Sequence, residues 1–283
     1  MNGLLVIDKQ AGVTSHDVVA MCRRILGERR VGHAGTLDPG ATGVLVVGVG
    51  RATRLLRFVE DAEKEYVTEA VFGVTTATLD AQGDVISERD ASALSEEDVR
   101  DVLSRFVGDI DQVPPMVSAI KIGGEALYKK ARRGEDVARE PRRVRVHELT
   151  LEGFTRGERP RARFRVRCSK GTYIRSLVAD IGEEIGAGAH VSVLRRTRVG
   201  TFSDAEAIPV SDVSENVLRP MEAAVAGYPR RSVDEAGARA LVHGKPLEPG
   251  GIDGVYAVYG PDGLLAMAED REGEARSLCV LMG

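Results

Sequence analysis

Two periods of apolar and polar positions run along this chain, and they lay out its elements. "GLLVID" (Gly3 to Asp8) is a short, nearly continuous apolar run, the pattern of a buried strand. From Thr14 or Ser15, either of which can cap a helix, Val18, Val19, Cys22, Ile25 and Leu26 recur at helical spacing until Gly27. Val44 to Val47 is a second buried strand, and "EYVTEAVFGV" (Glu65 to Val74) has the length and β-branched content of a third. "SEEDVRDVLSRFVG" (Ser95 to Gly108) predicts a helix with Ser95 as its cap, an acidic first turn and a terminal glycine. In "RARFRVRC" (Arg161 to Cys168) the period is two: four arginines fall on one face, and Ala162, Phe164, Val166 and Cys168 on the other. "GTYIRSLVADIGEEIG" (Gly171 to Gly186) returns to helical spacing, with Tyr173 and Arg175 in its first turn, and "VSVLRRTRVG" (Val191 to Gly200) is a basic strand. From about Tyr228 onward, glycine- and proline-rich turns separate the short β patterns "GVYAVYG", "GLLAMAE" and "SLCVLMG".

A chain of 283 residues has room for one large core and a small appendage. The divisions expected are 1–227 and 228–283, the second a small all-β module. No apolar run approaches the roughly 20 residues of a membrane span, and "MNGLLVIDKQ" has neither a basic n-region nor a cleavage site, so a cytoplasmic protein without a membrane partner is expected. Cys22, Cys168 and Cys279 form no CxxC pair and read as reduced, buried thiols, while the five histidines show no zinc-ligand spacing. No metal is implied.

The net charge of −4 argues against a nucleic-acid partner, but its distribution does not. Residues 121 to 200 hold 20 Lys and Arg against 10 Asp and Glu, a balance of +10 that leaves −14 for the rest of the chain. Local field rather than total charge steers an anion. The four alternating arginines sharpen this expectation: like charges side by side repel, and an anion lying across them would relieve the repulsion.

Candidate chemistry concentrates in "GHAGTLDPGATG" (Gly32 to Gly43), where the lone carboxylate of Asp38 stands among glycines and small residues. Asp before Pro commonly makes only a local side-chain turn. Here glycines permit close approach of another group, and Pro39 holds the preceding residue extended, so the Asp38 side chain is aimed reproducibly. The glycine spacing of "GTLDPGAT" is that of a phosphate-binding loop, but Ala41 stands where such a loop needs lysine, which excludes an NTPase. "GVGRAT" lacks the third glycine of a dinucleotide fold.

"GHAGTLDPGATGVLVV" closely resembles the signature of the TruB-type pseudouridine synthases. "DKQAGVTSHDVV", "KEYVTEAVFG", "VPPMVSAIKIGGEALYKKAR", "CSKGTYIRSLVADIGEEIG" and "AHVSVLRRTRVG" follow in the family's order, from about Gly3 to Gly200. The tail resembles a shortened PUA-type RNA-binding module. The resemblance implies an α+β catalytic domain on a mixed, mainly antiparallel sheet that converts uridine to pseudouridine at position 55 in the T loop of tRNA, with no cofactor, no metal and no guide RNA. It implies further that Asp38 is the essential carboxylate, that Arg175 stands beside it as countercharge with Asp80 linked to that arginine, and that Tyr66 packs on the target ring. Tyr173 and Leu194 would line the pocket, His33 would fill space near flipped nucleotides, and Lys9 would support the pocket from the first motif. Two positions depart from the family: Gln10 replaces the usual proline after Lys9, and Ala77 stands where an acid is common.

The implied reaction fits a single carboxylate. Uracil leaves C1′, turns and rejoins through C5, with nothing oxidised and no water consumed, so the second acid of a glycosidase has no task. A uridine stacked in a loop must be everted at a cost of a few kcal/mol, and stacking on an aromatic face returns roughly 1–3 kcal/mol. The competing expectations are a tRNA-binding or tRNA-folding module with secondary or lost catalysis, and a guide-dependent synthase of the same family.

Overall fold

The computed structural model describes residues 1–281 apart from 119, 132 and 136. The first expected strand is β1 (Gly3–Lys9), buried along nearly its whole length. In α1 (Ser15–Leu26) the cap is Thr14 rather than Ser15: the Thr14 hydroxyl accepts from the Asp17 amide at 3.1 Å, the Asp17 carboxylate accepts from the Thr14 amide at 2.8 Å, and Gly27 closes the helix at φ +62°. Ile25, expected on the inner face, is exposed. The next strands, β2 (Val31–Ala34) and β3 (Thr42–Val49), pair antiparallel, and a short α2 (Leu56–Glu60) leads to β4 (Lys64–Phe72). Gly73, at φ +88°, ends β4, so the strand expected over Glu65–Val74 is divided; β5 (Val74–Thr76) pairs instead with β6 (Val85–Glu88).

Ser95 caps α3 (Glu96–Leu103) as expected, but the helix does not reach Gly108. A single 3₁₀ turn covers Ser104–Phe106, and Gly108 opens β7 (Gly108–Gln112), where it pairs with Val146 in a strand ladder. The segments β8 (Lys121–Ile122), β9 (Glu125–Ala126) and α4 (Leu127–Ala131) fall in the "VPPMVSAIKIGGEALYKKAR" motif, of which Ala119 and Arg132 lie outside the described residues. Then come β10 (Arg142–Thr155), β11 (Arg161–Cys168), α5 (Ile174–Ile185), β12 (Ala189–Val199) and β13 (Phe202–Ser203). The tail holds β14 (Arg230–Ser232), α6 (Glu235–Val242), β15 (Val255–Gly260), β16 (Gly263–Arg271) and β17 (Glu274–Val280).

Two compact units divide these elements. One comprises Met1–Asp38, Val44–Asp61 and the chain from Val199 onward; the other comprises Pro39–Gly43 and Ala62–Arg198. In the second unit the strand order is β7-β10-β11-β4-β12, with antiparallel ladders between β7 and β10, β10 and β11, and β11 and β4. Thr42 and Gly43 run parallel to Arg195 and Arg196 of β12, so the sheet is mixed and mainly antiparallel, an α+β arrangement as expected. Helix α5 turns Ile174, Leu177, Val178 and Ile181 inward, and Ile185, the next apolar position at helical spacing, is half-buried.

In the first unit, β1 lies next to β3, and β14-β15-β16-β17 form a separate four-stranded sheet. Ala257, Leu264 and Met267 on one face of that sheet join Leu4, Val6, Val44, Val46, Leu55 and Phe58 in one core. Leu241 of α6 packs with Tyr256, Val258 and Leu265 on the other face. Each such side chain, when fully buried, contributes about 1.5–3 kcal/mol, so a helix in the tail, beyond the strands its sequence advertised, seals a face that would otherwise be wet. Among the described residues no helix is long and apolar enough to cross a membrane.

Candidate functional site

Lys9 starts a chain of local causes that ends at Asp38. Its side chain is fully buried, and Nζ donates to the carbonyls of Gln10 at 3.0 Å and Val13 at 2.8 Å. These bonds close the turn in which Gln10 replaces the expected proline. The turn delivers Thr14 to its capping position and leaves the Ser15 hydroxyl, 1% exposed, for another task. Ser15 Oγ accepts from the Leu37 amide at 2.9 Å and donates to the Leu37 carbonyl at 3.2 Å. One hydroxyl thus satisfies both backbone polar groups of the buried residue immediately before Asp38. His33 lies on β2 opposite Val47, half-buried, edge-on to His16 in the first turn of α1, with ring centroids 5.3 Å apart. Asp38 itself is half-buried and is the last residue of its segment of the first unit.

The residues just after it are held by close packing in the second unit. A Cβ on Gly40 would come within 3.0 Å of Gln82 Nε2. Gly43, at φ +99°, admits no side chain at all: a Cβ there would stand 2.2 Å from the Arg196 carbonyl oxygen. Gly43 therefore serves approach by the chain's own backbone, and Gly40 approach by the Gln82 side chain.

Arg175 anchors the second group. It is 3% exposed, and its guanidinium donates to the carbonyls of Thr78 and Val117, each at 2.7 Å, while Nη1 lies 3.4 Å from Asp80 Oδ2. The other Asp80 oxygen, Oδ1, accepts from the Thr78 hydroxyl at 2.5 Å and the Gln82 amide at 3.0 Å. Between them Leu79 adopts φ +62°, a left-handed conformation that costs a bulky side chain about 1–3 kcal/mol and is retained only where surroundings enforce it. The enforcing contacts are the Arg175–Thr78 bond and the pairing of Leu79 O with the Val191 amide at 3.0 Å. The N-cap position of α5 is Tyr173, which offers no cap of its own; Gln112 takes that place, accepting from the Tyr173 amide at 2.7 Å and donating to its carbonyl at 3.0 Å. Tyr66 is buried on β4 opposite Val166, and Leu194 and Tyr173 are half-buried.

Lys9, His33 and Asp38 thus belong to the first unit, and Tyr66, Asp80, Tyr173, Arg175 and Leu194 to the second, where Arg175 and Asp80 are directly joined. Ser15, Thr78, Leu79 and Gln112 were not singled out from the sequence. Only Ser15 left a local signal, its place beside a capping threonine. Among the described residues no three His, Cys, Asp or Glu side chains are grouped as a metal site requires.

The arginine face of β11 corrects an expectation. Arg161 pairs with Glu69 at 2.6 Å, Arg163 with Glu152 at 3.1 Å, Arg165 with Glu152 at 2.7 Å and Glu65 at 2.8 Å, and Arg167 with Glu63 at 2.8 Å. The carboxylates come from β4, the residue before it, and β10. Ser192's hydroxyl, followed by Arg161, holds the Glu69 carboxyl below the usual range against the opposing effect of burial. The repulsion between the arginines is therefore relieved by the chain's own acids, and the expected anion lying across β11 is not needed. Glu65 and Glu69, four residues apart on β4, were the available signal.

The family model for the TruB family pseudouridylate synthase (N terminal domain) matches residues 23–174. The model for the tRNA pseudouridylate synthase B C-terminal domain matches 175–226, and that for tRNA Pseudouridine synthase II, C terminal, matches 228–282. The tRNA pseudouridine synthase B of Thermobifida fusca (strain YX) is 46% identical over 290 residues, covering 100% of this chain and 99% of that protein. The protein of the same name from Mycobacterium sp. (strain KMS) is 45% identical over 289 residues, covering 99% and 96%. Among solved structures, a Cbf5-Nop10-Gar1 complex matches at 30% identity and TM-score 0.78, over 99% of this chain and 85% of that chain. An H/ACA RNP bound to a substrate RNA containing 2′-deoxyuridine matches at 27% identity and TM-score 0.74, with the same coverage. With its motifs, its sheet and more than half its length matched in this way, the chain belongs to the TruB family of pseudouridylate synthases.

Proposed function

We propose that this protein isomerises uridine to pseudouridine in tRNA, at position 55 of the T loop, with Asp38 as the essential carboxylate. The observation that carries the proposal is the fixation of the Asp38 loop: Ser15 clasps Leu37 on one side of the acid, and a glycine-only packing against Arg196 follows on the other. An acid held in this way is preorganised for one geometry. In the reaction the N1–C1′ bond breaks, a C5–C1′ bond forms, the C5 hydrogen leaves as a proton and N1 gains one. No oxidant, water or cofactor enters that balance.

In this reading Arg175 stabilises the ionised form of Asp38, and Asp80 and Thr78 orient Arg175. Tyr66 packs on the everted uracil, Tyr173 and Leu194 line its pocket, His33 occupies the space it vacates, and Lys9 supports the loop. The enzyme acts in the cytoplasm without a guide RNA. Residues 1–227 carry the chemistry and 228–283 add RNA contacts. A module that only binds or folds tRNA is the weaker reading, since the β11 arginines on which it drew are neutralised internally.

The test uses tRNA tritiated at uracil C5. The purified chain alone, on bare tRNA, should release label into water, and Asp38→Asn should bind tRNA and release none. Equal release by both would overturn the assignment of Asp38. A requirement for added guide RNA would overturn independence from one.

A further inference from the structure

Where β11 neutralises its arginines, one other cluster does not. Arg23 and Arg24 occupy the last turn of α1, and the left-handed turn at Gly27 brings Arg29 and Arg30 after them. Ala20, Arg23, Arg24, Gly27, Glu28 and Arg29 line an open concavity of about 650 Å³. Among the described residues no carboxylate stands within ion-pair distance of any of the four arginines. Glu28, the one acid in the lining, is turned toward the backbone: it accepts from the Arg30 amide at 2.8 Å, and that bond holds its carboxyl below the usual range. Arg23 donates to the Val31 carbonyl at 2.7 Å, which ties the cluster to the start of β2, the strand that carries His33.

The helix C-terminus explains part of this. Arg23 and Arg24 complement the exposed carbonyls of the last turn. Arg29 and Arg30 lie beyond the helix and gain nothing from it. Four exposed guanidinium groups, three of them lining one concavity and the fourth next to Arg29 in the chain, repel one another unless an anion neutralises them. The lining offers no large apolar surface to hold a folded protein partner. Planar, permanently charged forks suit the oxygens of phosphodiesters.

We propose that this cluster is a docking patch for the sugar–phosphate backbone of the tRNA substrate, an inference that rests on the function proposed above. It moves the electrostatic footprint from β11 to the end of α1. The patch positions the RNA without reading its bases, as phosphate contacts do.

The experiment measures tRNA affinity against salt for three proteins: wild type, R24Q/R29Q/R30Q, and R163Q/R167Q as a control for lost charge. Arg23 is left in place because it holds Val31. Each lost phosphate contact should lower the slope of log K against log salt by about 0.7–0.9. The triple variant is expected to lose about two units of slope and bind ten- to a hundredfold more weakly at low salt, with kcat at saturating tRNA unchanged and a native circular dichroism spectrum. The control should keep the wild-type slope. An unchanged slope in the triple variant, or an equal loss in the control, overturns the patch while leaving a tritium-releasing wild type intact. A wild type that neither binds tRNA nor releases tritium overturns the functional reading itself.

Discussion

Ser15 shows how much can depend on one hydroxyl. Its two bonds to Leu37 satisfy an amide and a carbonyl that the surrounding core hides from water. Ser15→Ala leaves both unmatched, at a cost of about 1–3 kcal/mol of stability. It also frees the residue next to Asp38, the carboxylate proposed as essential, and small misplacements of a reacting group cost on the order of 10²-fold in rate. The expected outcome is a kcat lowered about ten- to a hundredfold with KM little changed, read from steady-state kinetics beside a thermal melt; a fall in melting temperature with unaltered kcat would refute the positioning role. The sequence could place a cap at Thr14 or Ser15 but could not choose, because the deciding partner lies 22 residues away. Of the three cysteines read as buried, Cys22 and Cys168 are, while Cys279 near the end of β17 is only half-buried. Burial pushes the Cys22 and Cys168 thiols up to about 11, so at pH 8 roughly one in a thousand is ionised. A thiol reagent should therefore reach neither in the native protein at an appreciable rate, and both after unfolding.

At the scale of elements, hydrophobic period succeeded where neighbours along the chain determine the outcome. The inner face of α5 and the alternation of β11 were both readable. The end of α3 was not, since Gly108 stops helix formation by joining a ladder with Val146 far downstream. Nor was the turn that wraps Arg175, whose strained Leu79 is held by contacts from α5 and β12. Asp80→Asn removes the carboxylate beside a guanidinium almost wholly out of water, and a loss of about 3 kcal/mol is expected from chemical denaturation. Helix caps supply a pH dependence. The Asp98 carboxyl in α3 is held below its ordinary 3.8 by the Ser95 hydroxyl and then the Ser95 amide. A carboxyl depressed by folding contributes stability that is present above its unfolded pKa and lost as pH falls through its folded one. Melting temperature should thus drop on acidification below about pH 4, and Asp98→Asn should flatten that limb.

For the whole molecule, the charge asymmetry was read correctly as a sum and wrongly as a surface. Residues 121 to 200 carry +10, yet the arginines of β11 face glutamates of neighbouring strands. Such exposed pairs are worth about 0–1 kcal/mol each, so R163Q/R167Q should unfold in urea within about 2 kcal/mol of wild type. The α+β class followed from the mix of periods. The division into units could not, because each gathers segments far apart in sequence. The core of the first unit takes Leu4 and Val6 from β1, Met267 from β16 and Leu281 from just beyond β17. A ribosome releases Leu4 long before Leu281 exists. During synthesis Leu4 and Val6 therefore have no complete place to go, and this unit cannot close until Leu281 has been made. Until then an apolar strand waits in the nascent chain, open to chaperones and to aggregation alike.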